Sequence, residues 1–185
     1  MMNKPCGYVC SAVSDSHKTV YELLPPELQS LVKDAKRGER LHTVGRLDCN
    51  TSGLLLLTTD GDFSNYMTRP ENHISKTYEA ELSFPVEPDK QPEYISRAAT
   101  GVILPAEKKA PEQKSTGAQL QFLSLTRCLI TLTEGKFHEV RRLFRALGNE
   151  VTGLKRIAIA GIVLPDNLSS GSYRQLDKDS VLCYH

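Results

Sequence analysis

The hydrophobic positions of this chain fall into three patterns, and each predicts a different element. Leu54 to Leu57 form an unbroken apolar run bounded by Gly53 and by Asp60-Gly61-Asp62, the pattern of a strand buried on both faces. Residues 77–83 alternate instead, with Tyr78, Ala80 and Leu82 on one side and Glu79 and Glu81 on the other, which predicts a half-exposed strand. Val140, Leu143, Phe144 and Leu147 recur at helical spacing, so residues 138–147 predict an amphipathic helix that Gly148 ends. Weaker signals fill the rest. Tyr8-Val9-Cys10 follows a turn and reads as a short strand, and Pro25-Pro26-Glu27 opens a helix with Leu28, Leu31 and Val32 on one face. Asp62 is placed to cap a short helix through Phe63, Tyr66 and Met67. Pro85, Pro88 and Pro92 lead into a helix ending near Gly101. Residues 119–125 and 128–133 predict a hairpin, and residues 156–164 a final β-rich tract. Residues 33–40 read as a basic, solvated loop, and the lysine-, proline- and glutamate-rich residues 104–117 as a mobile one. The sum is a β-rich core flanked by few helices. With no internal repeat and no linker, the 185 residues are expected to form a single domain of two lobes.

Composition narrows the class without naming a function. Hydrophobic and charged residues make up 39% and 24%, ordinary values for a soluble globular protein. The net charge of +1 gives no global field, so any nucleic-acid surface has to be a local patch. No apolar run approaches a membrane span and the first residues lack a signal-peptide core, so a cytoplasmic protein with no membrane partner is expected. The five cysteines (Cys6, Cys10, Cys49, Cys128, Cys183) form no Cys-x-x-Cys, and the five histidines do not cluster. Reduced thiols are the expectation, and a zinc site is not.

Chemistry concentrates in two stretches. Between Gly45 and Gly53, Arg46 and Asp48 lie in a polar loop that runs directly into the leucine strand. A carboxylate in such a loop is supported by the core, as a catalytic group must be, although most aspartates in loops only turn or cap the chain. From Arg127 to Arg156 the chain holds seven Lys or Arg (Arg127, Lys136, Arg141, Arg142, Arg145, Lys155, Arg156) against three Glu. That local excess suits phosphate contacts, with a solvated helix face as the bland alternative. Gly135 and Phe137, just ahead of the helix, favour function, since glycine permits close backbone approach and the phenyl ring a stacking surface. Tyr78 reads by itself as strand packing.

Several segments now follow one another at compatible spacing: Asn3-Lys4-Pro5 with Gly7; Gly45-Arg46-Leu47-Asp48 with Thr51-Ser52-Gly53-Leu54; Lys76-Thr77-Tyr78-Glu79-Ala80; Glu134-Gly135-Lys136-Phe137-His138-Glu139-Val140-Arg141-Arg142 with Gly148; Lys155-Arg156-Ile157; and Gly171-Ser172-Tyr173-Arg174. Together they resemble the ordered motifs of the pseudouridine synthases over nearly the whole chain, in particular the RsuA/RluB/RluE/RluF branch that modifies ribosomal RNA. The resemblance implies an α+β fold, the pseudouridine synthase fold: a bent, mostly antiparallel sheet shared by two lobes, flanking helices and a central active-site cleft. It implies isomerisation of uridine in RNA without cofactor or metal. The C1′–N1 bond breaks, the base turns, and C5 bonds to C1′. Asp48 would be the catalytic carboxylate, as nucleophile at C1′ or as base at C2′. Arg141 would be its basic partner, with Arg142 the second choice, since a nearby guanidinium favours the ionised carboxylate. Tyr78 would pack on the uracil, and Arg46 would lie beside the flipped nucleotide. The basic helix and its neighbours would offset the cost of unstacking, a few kcal/mol. On this reading Lys4, Lys76, Lys136, Phe137, Arg142, Arg145, Lys155 and Arg156 join Arg46 in RNA binding, and the protein acts as a monomer on ribosomal RNA or an assembling ribosomal subunit.

Within the branch the opening residues 2–11 look most like the RsuA type, which implies small-subunit RNA, although large-subunit members share every catalytic motif. Most members of the branch carry an S4-type RNA-binding domain ahead of the Asn-Lys-Pro motif. Here the motif starts at residue 3, so a catalytic domain without that module is expected. A second departure is Glu139, where relatives often have Gln. Two other classes compete. Asp60 and Asp62 after the leucine run superficially resemble a magnesium-dependent phosphohydrolase, and the arginines alone would serve a non-catalytic RNA-binding module.

Overall fold

The computed structural model, which describes residues 1–36, 38–107 and 109–177, places the leucine run in the interior of the first of two units. Arg37 of the basic loop, Cys183 and His185 lie outside the described residues. The first unit comprises Met1–Ile74 and the stretch from Arg156 onward, and the second Ser75–Lys155.

In the first unit β1 (Met2–Lys4) is a strand where a turn was expected. β2 (Tyr8–Val9) pairs in parallel with β3 (Lys18–Thr19), and α1 (Pro26–Lys33) starts with Pro26 in its first turn. The leucine run is not one strand but two. It supplies β5 (Ser52–Leu55), antiparallel to β1, and β6 (Leu57–Thr58), paired with β4 (His42–Thr43), with Leu56 as the join. Leu54, Leu55 and Leu56 are buried, and Leu54 and Leu56 share a cluster with Met1, Val44 and Met67. α2 (Gly61–Thr68) is capped by Asp60, whose Oδ1 accepts the Phe63 N–H at 3.0 Å, whereas Asp62 lies inside the first turn. The cap therefore lies two residues earlier than expected, because a cap must precede the helix and accept from the N–H of its third residue.

The second unit is built on the alternating strand. β7 (Lys76–Leu82) turns Ala80 and Leu82 into the core and keeps Tyr78 half-buried against it. α3 (Gln91–Thr100) follows, then β8 (Ile103–Leu104) and β9 (Gln113–Lys114), which pair with each other. The loop expected to be mobile is thus closed by a two-strand ladder. β10 (Gln119–Phe122) and β11 (Arg127–Leu132) form the expected hairpin, and β11 pairs antiparallel with β7 so that Tyr78 faces Ile130. α4 (Glu139–Ala146) buries Val140, Leu143 and Phe144, with Leu147 just beyond it, each exposed by 4% or less. Full burial of such side chains is worth about 1.5–3 kcal/mol apiece, so this face holds the helix in place.

β12 (Val151–Ile159) begins five residues before the expected tract, where Thr152 and Gly153 hid a strand signal. It ends in a tight turn with Ala160 and Gly161 at φ 48° and 80°, and β13 (Ile162–Val163) returns antiparallel. The end of β12 from Arg156 onward belongs to the first unit, and within that unit its backbone touches that of β5. Gly53 sits at φ +101°, and a Cβ on it would lie 2.2 Å from the Arg156 carbonyl oxygen. The architecture is mixed α and β with a mostly antiparallel sheet, as expected. Among the described residues no helix is long and apolar enough to cross a membrane.

Candidate active site

Asp48 is half-buried, and the backbone around it is fixed from three directions. On either side, Leu47 and Thr51 are buried, at 6% and 1% exposure, and the Thr51 N–H donates to the Asp48 carbonyl at 3.1 Å. From the amino-terminal segment, the Gly7 N–H donates to the Cys49 carbonyl at 2.8 Å, and the Cys10 thiol lies 3.4 Å from the Leu47 nitrogen. The third support is Lys4. Its side chain has no exposed surface, and its Nζ donates to the carbonyls of Thr51 (2.8 Å), Pro5 (3.0 Å) and Asp48 (3.1 Å). Burial pulls the Lys4 ammonium below its ordinary pKa, opposed by Cys10, Cys6, Cys49 and Asp48. A carboxylate on so constrained a loop keeps its position without help from substrate.

The second unit holds Tyr78 and Arg141, the other two residues expected to be catalytic. Tyr78 presents a partly exposed ring on β7. Arg141 is half-buried on α4 and its Nη1 donates to the Val151 carbonyl at 2.9 Å. Ahead of α4, His138 adopts a left-handed conformation (φ 49°) that only a few per cent of non-glycine residues share. Its ring stacks on Phe137 with centroids 3.8 Å apart, and Nδ1 bonds Glu107 Oε2 at 2.8 Å. Arg145 bonds the other oxygen of Glu107, so one carboxylate ties residues 104–117 to α4. Burial raises the Glu107 pKa, but the bonds from His138 and Arg145 outweigh it and the net shift is downward. Lys76 Nζ donates to the Glu134 carbonyl at 3.0 Å, and Lys136 Nζ to Glu134 and to the Lys114 carbonyl.

Three cations expected to face RNA are internal, and the expectation for them is corrected. Lys4 has just been described. Arg142 has no exposed surface, and its guanidinium donates to four carbonyls: Pro105 (2.8 Å), Phe137 (3.2 Å), Leu104 (3.3 Å) and Pro111 (2.6 Å). Arg156 is 2% exposed and its Nε donates to the Leu54 carbonyl at 2.8 Å. A buried charge must be paired or hydrogen-bonded; Lys4 and Arg142 meet that demand with backbone oxygens, and Arg156 meets it through Nε while its Nη2 is buried without a hydrogen-bond partner, so all three face inward and not towards phosphates. Arg46, Arg145 and Lys155 are exposed, and Lys76, Lys136 and Phe137 partly so. Sequence reasoning missed Glu107, Cys10 and Thr51. Nothing local marks the first two, whereas Thr51 lay inside a motif already singled out.

The second half of the picture comes from likeness to known proteins. Residues 1–146 match the family model described as RNA pseudouridylate synthase. This chain belongs to that family. Its reaction converts uridine in RNA to pseudouridine. The chain is 38% identical over 181 residues to the ribosomal small subunit pseudouridine synthase A of Haemophilus influenzae, covering 98% of this chain and 71% of that protein. The protein of the same name from Escherichia coli gives the same identity and the same coverage. A crystal structure of a pseudouridylate synthase superposes with a TM-score of 0.84 at 37% identity, over all of this chain and 72% of that one. The phosphohydrolase reading loses its support in the same step, because the Asp60 carboxylate caps a helix.

Proposed function

We propose that this protein isomerises one uridine of small-subunit ribosomal RNA, at the position corresponding to uridine 516, with Asp48 as the catalytic carboxylate. The observation that carries the reading is the Asp48 loop: a motif carboxylate held between buried Leu47 and Thr51 and stapled by a buried lysine, in a chain 38% identical along nearly its whole length to proteins named for the small subunit. Asp48 attacks C1′ as a nucleophile or removes the C2′ proton. On either route the C1′–N1 bond breaks, the uracil rotates, C5 bonds to C1′, and the proton lost from C5 is balanced by one gained at N1. Both routes need Asp48 ionised. Tyr78 is the ring that packs on the uracil, and Arg141 the cation of the same reaction. Arg46, Lys76, Lys136, Phe137, Arg145 and Lys155 supply the RNA contacts. The protein acts as a monomer in the cytoplasm, on ribosomal RNA or an assembling subunit.

Tritium release from RNA labelled at uridine C5 tests this directly. Small-subunit, large-subunit and transfer RNA are compared, together with pre-assembled ribosomal particles, and Asp48→Asn serves as control. Release from the small-subunit substrate alone, abolished in a folded Asp48→Asn protein, is the expected result. Release from large-subunit RNA instead would overturn the substrate, and undiminished release by Asp48→Asn would overturn the assignment of the carboxylate.

A further inference from the structure

Residues 103–114 add little to the core and are nevertheless firmly held. Of those described, only Leu104 and Ala110 are buried, while Ile103, Ala106, Lys109, Pro111, Glu112 and Lys114 are exposed. The segment is ordered as an antiparallel arm. β8 and β9 pair Ile103 with Lys114 and Leu104 with Gln113, and Glu107 and Ala110 exchange N–H···O bonds of 2.8 and 3.0 Å. Arg142 binds both sides of the arm, at the Leu104 and Pro105 carbonyls on one and the Pro111 carbonyl on the other. Glu107 binds His138 Nδ1 and Arg145, which belong to the start and the outer face of α4. Burying a guanidinium to fasten a polar segment makes physical sense where the position of that segment matters more than its packing.

The fastening gathers four cations in the second unit. Lys136 Nζ donates to the Lys114 carbonyl at 2.7 Å, so these two lysines adjoin, and Lys109 stands two residues from Glu107, which holds Arg145. Lys136 and Arg145 are partly neutralised by Glu134 and Glu107. Lys109 and Lys114 are exposed and make no ion pair among the described residues. The opposing charge on the arm is Glu112, which is exposed and lies between them in sequence. In a chain whose net charge is only +1, cations fixed on a rigid backbone at one place are what contact with phosphates requires.

We propose that residues 103–114 are an RNA-binding arm, in which Lys109 and Lys114 contact phosphates of the strand that meets Lys136 and Phe137, with Glu107 as the residue that positions the arm. This rests on the RNA-contact role given to Lys136 and Phe137 above. Each phosphate met by a lysine releases condensed counterions, which adds about 0.7–0.9 to the slope of log K against log salt. At 0.1 M salt that term corresponds to about a fivefold to eightfold gain in affinity for each contact.

The test measures binding of fluorescent small-subunit RNA to the Asp48→Asn protein over a series of salt concentrations, alone and with Lys109→Gln, Lys114→Gln or both added. Each lysine variant should bind about fivefold to eightfold more weakly at 0.1 M salt with a slope smaller by about 0.7–0.9, and the two losses should multiply. Both side chains are exposed, so the fold is retained. Lys90→Gln is the charge control: it removes an exposed lysine at the opposite end of α3, about 15 Å along that helix from the start of the arm, and should leave the slope unchanged. Glu112→Gln removes the opposing charge and should tighten binding. Glu107→Ala frees the arm from α4, so in that background Lys109→Gln should cost only about twofold. An undiminished loss there would overturn the role of Glu107. Parental slope and affinity in Lys109→Gln and Lys114→Gln, or an equal loss in Lys90→Gln, would overturn the arm. Failure of the parent Asp48→Asn protein to bind the RNA would overturn the proposed function instead, and it shows before any lysine is changed.

Discussion

Lys4 is the sharpest place to separate a phosphate contact from an internal strut, and Lys4→Met is the perturbation that does it. Methionine keeps the length and apolar stem and removes the ammonium. In the structure Nζ serves the carbonyls of Pro5, Asp48 and Thr51 within 3.1 Å. Asp48 keeps the Thr51 N–H after the change, and the more distant Cys49 carbonyl keeps the Gly7 N–H. Two carbonyls, those of Pro5 and Thr51, lose the partner described here. At about 1–3 kcal/mol for each orphaned group, less what is recovered by no longer burying a charge, the expected loss is about 2–4 kcal/mol. In a protein of this size that lowers Tm by about 4–16 °C. The Asp48 loop loosens as well, and kcat should fall about tenfold to a hundredfold, as it does when a reacting group is misplaced by about 1 Å. RNA binding provides the contrast. A lost phosphate contact would reduce the slope of log K against log salt by about 0.7–0.9, whereas a strut leaves the slope unchanged. Thermal unfolding, single-turnover tritium release and salt-dependent binding are run on the same preparation. Wild-type Tm with a slope reduced by about one contact would refute the reasoning.

Other consequences are as direct. Arg142→Met strips the donors from four carbonyls and should cost about 3–5 kcal/mol, with new proteolytic cleavage within residues 104–117; Arg142→Lys should not rescue it, since a point charge cannot reproduce the guanidinium fork. Gly53→Ala should destabilise by about 2–4 kcal/mol, because the new methyl meets the Arg156 carbonyl, while Gly61→Ala, with open space around it at the start of α2, should be neutral or slightly stabilising in the same denaturation assay. Glu139 should also mark stability against pH. Its pKa rises from 4.5 to about 7 on folding, so its contribution is complete below about 4.5 and is lost as pH climbs towards 7, up to about 3 kcal/mol. Glu139→Gln should remove that slope in urea titrations at pH 5 and pH 8. Among Cys6, Cys10, Cys49 and Cys128, iodoacetamide should label exposed Cys6 first and Cys128 last, since burial pushes the Cys128 thiol up to about 12; prompt labelling of Cys128 in folded protein would contradict its burial.

Much of this protein was legible from its residues in order. Alternation at residues 77–83 and helical spacing at Val140, Leu143, Phe144 and Leu147 placed β7 and α4, because those periods follow from backbone geometry alone. Ordered motifs brought the family and singled out Asp48, because the chemistry demands those residue types close together in sequence. What sequence could not show was the neighbour from elsewhere in the chain. β1 and the first half of β12 carry weak patterns of their own and exist because each has a strand to pair with. The loop at residues 104–117 looks mobile until Arg142 and Glu107 are seen fastening it to α4.

The same limit explains the cations. Lys4, Arg142 and Arg156 are as basic in sequence as Arg46, Arg145 and Lys155, and a local charge count treats them alike. The sequence by itself determined that positive charge gathers around the two motif loops. Only the tertiary structure decided which charges face outward and which lie inside on backbone carbonyls, since burial is set by residues distant in the chain.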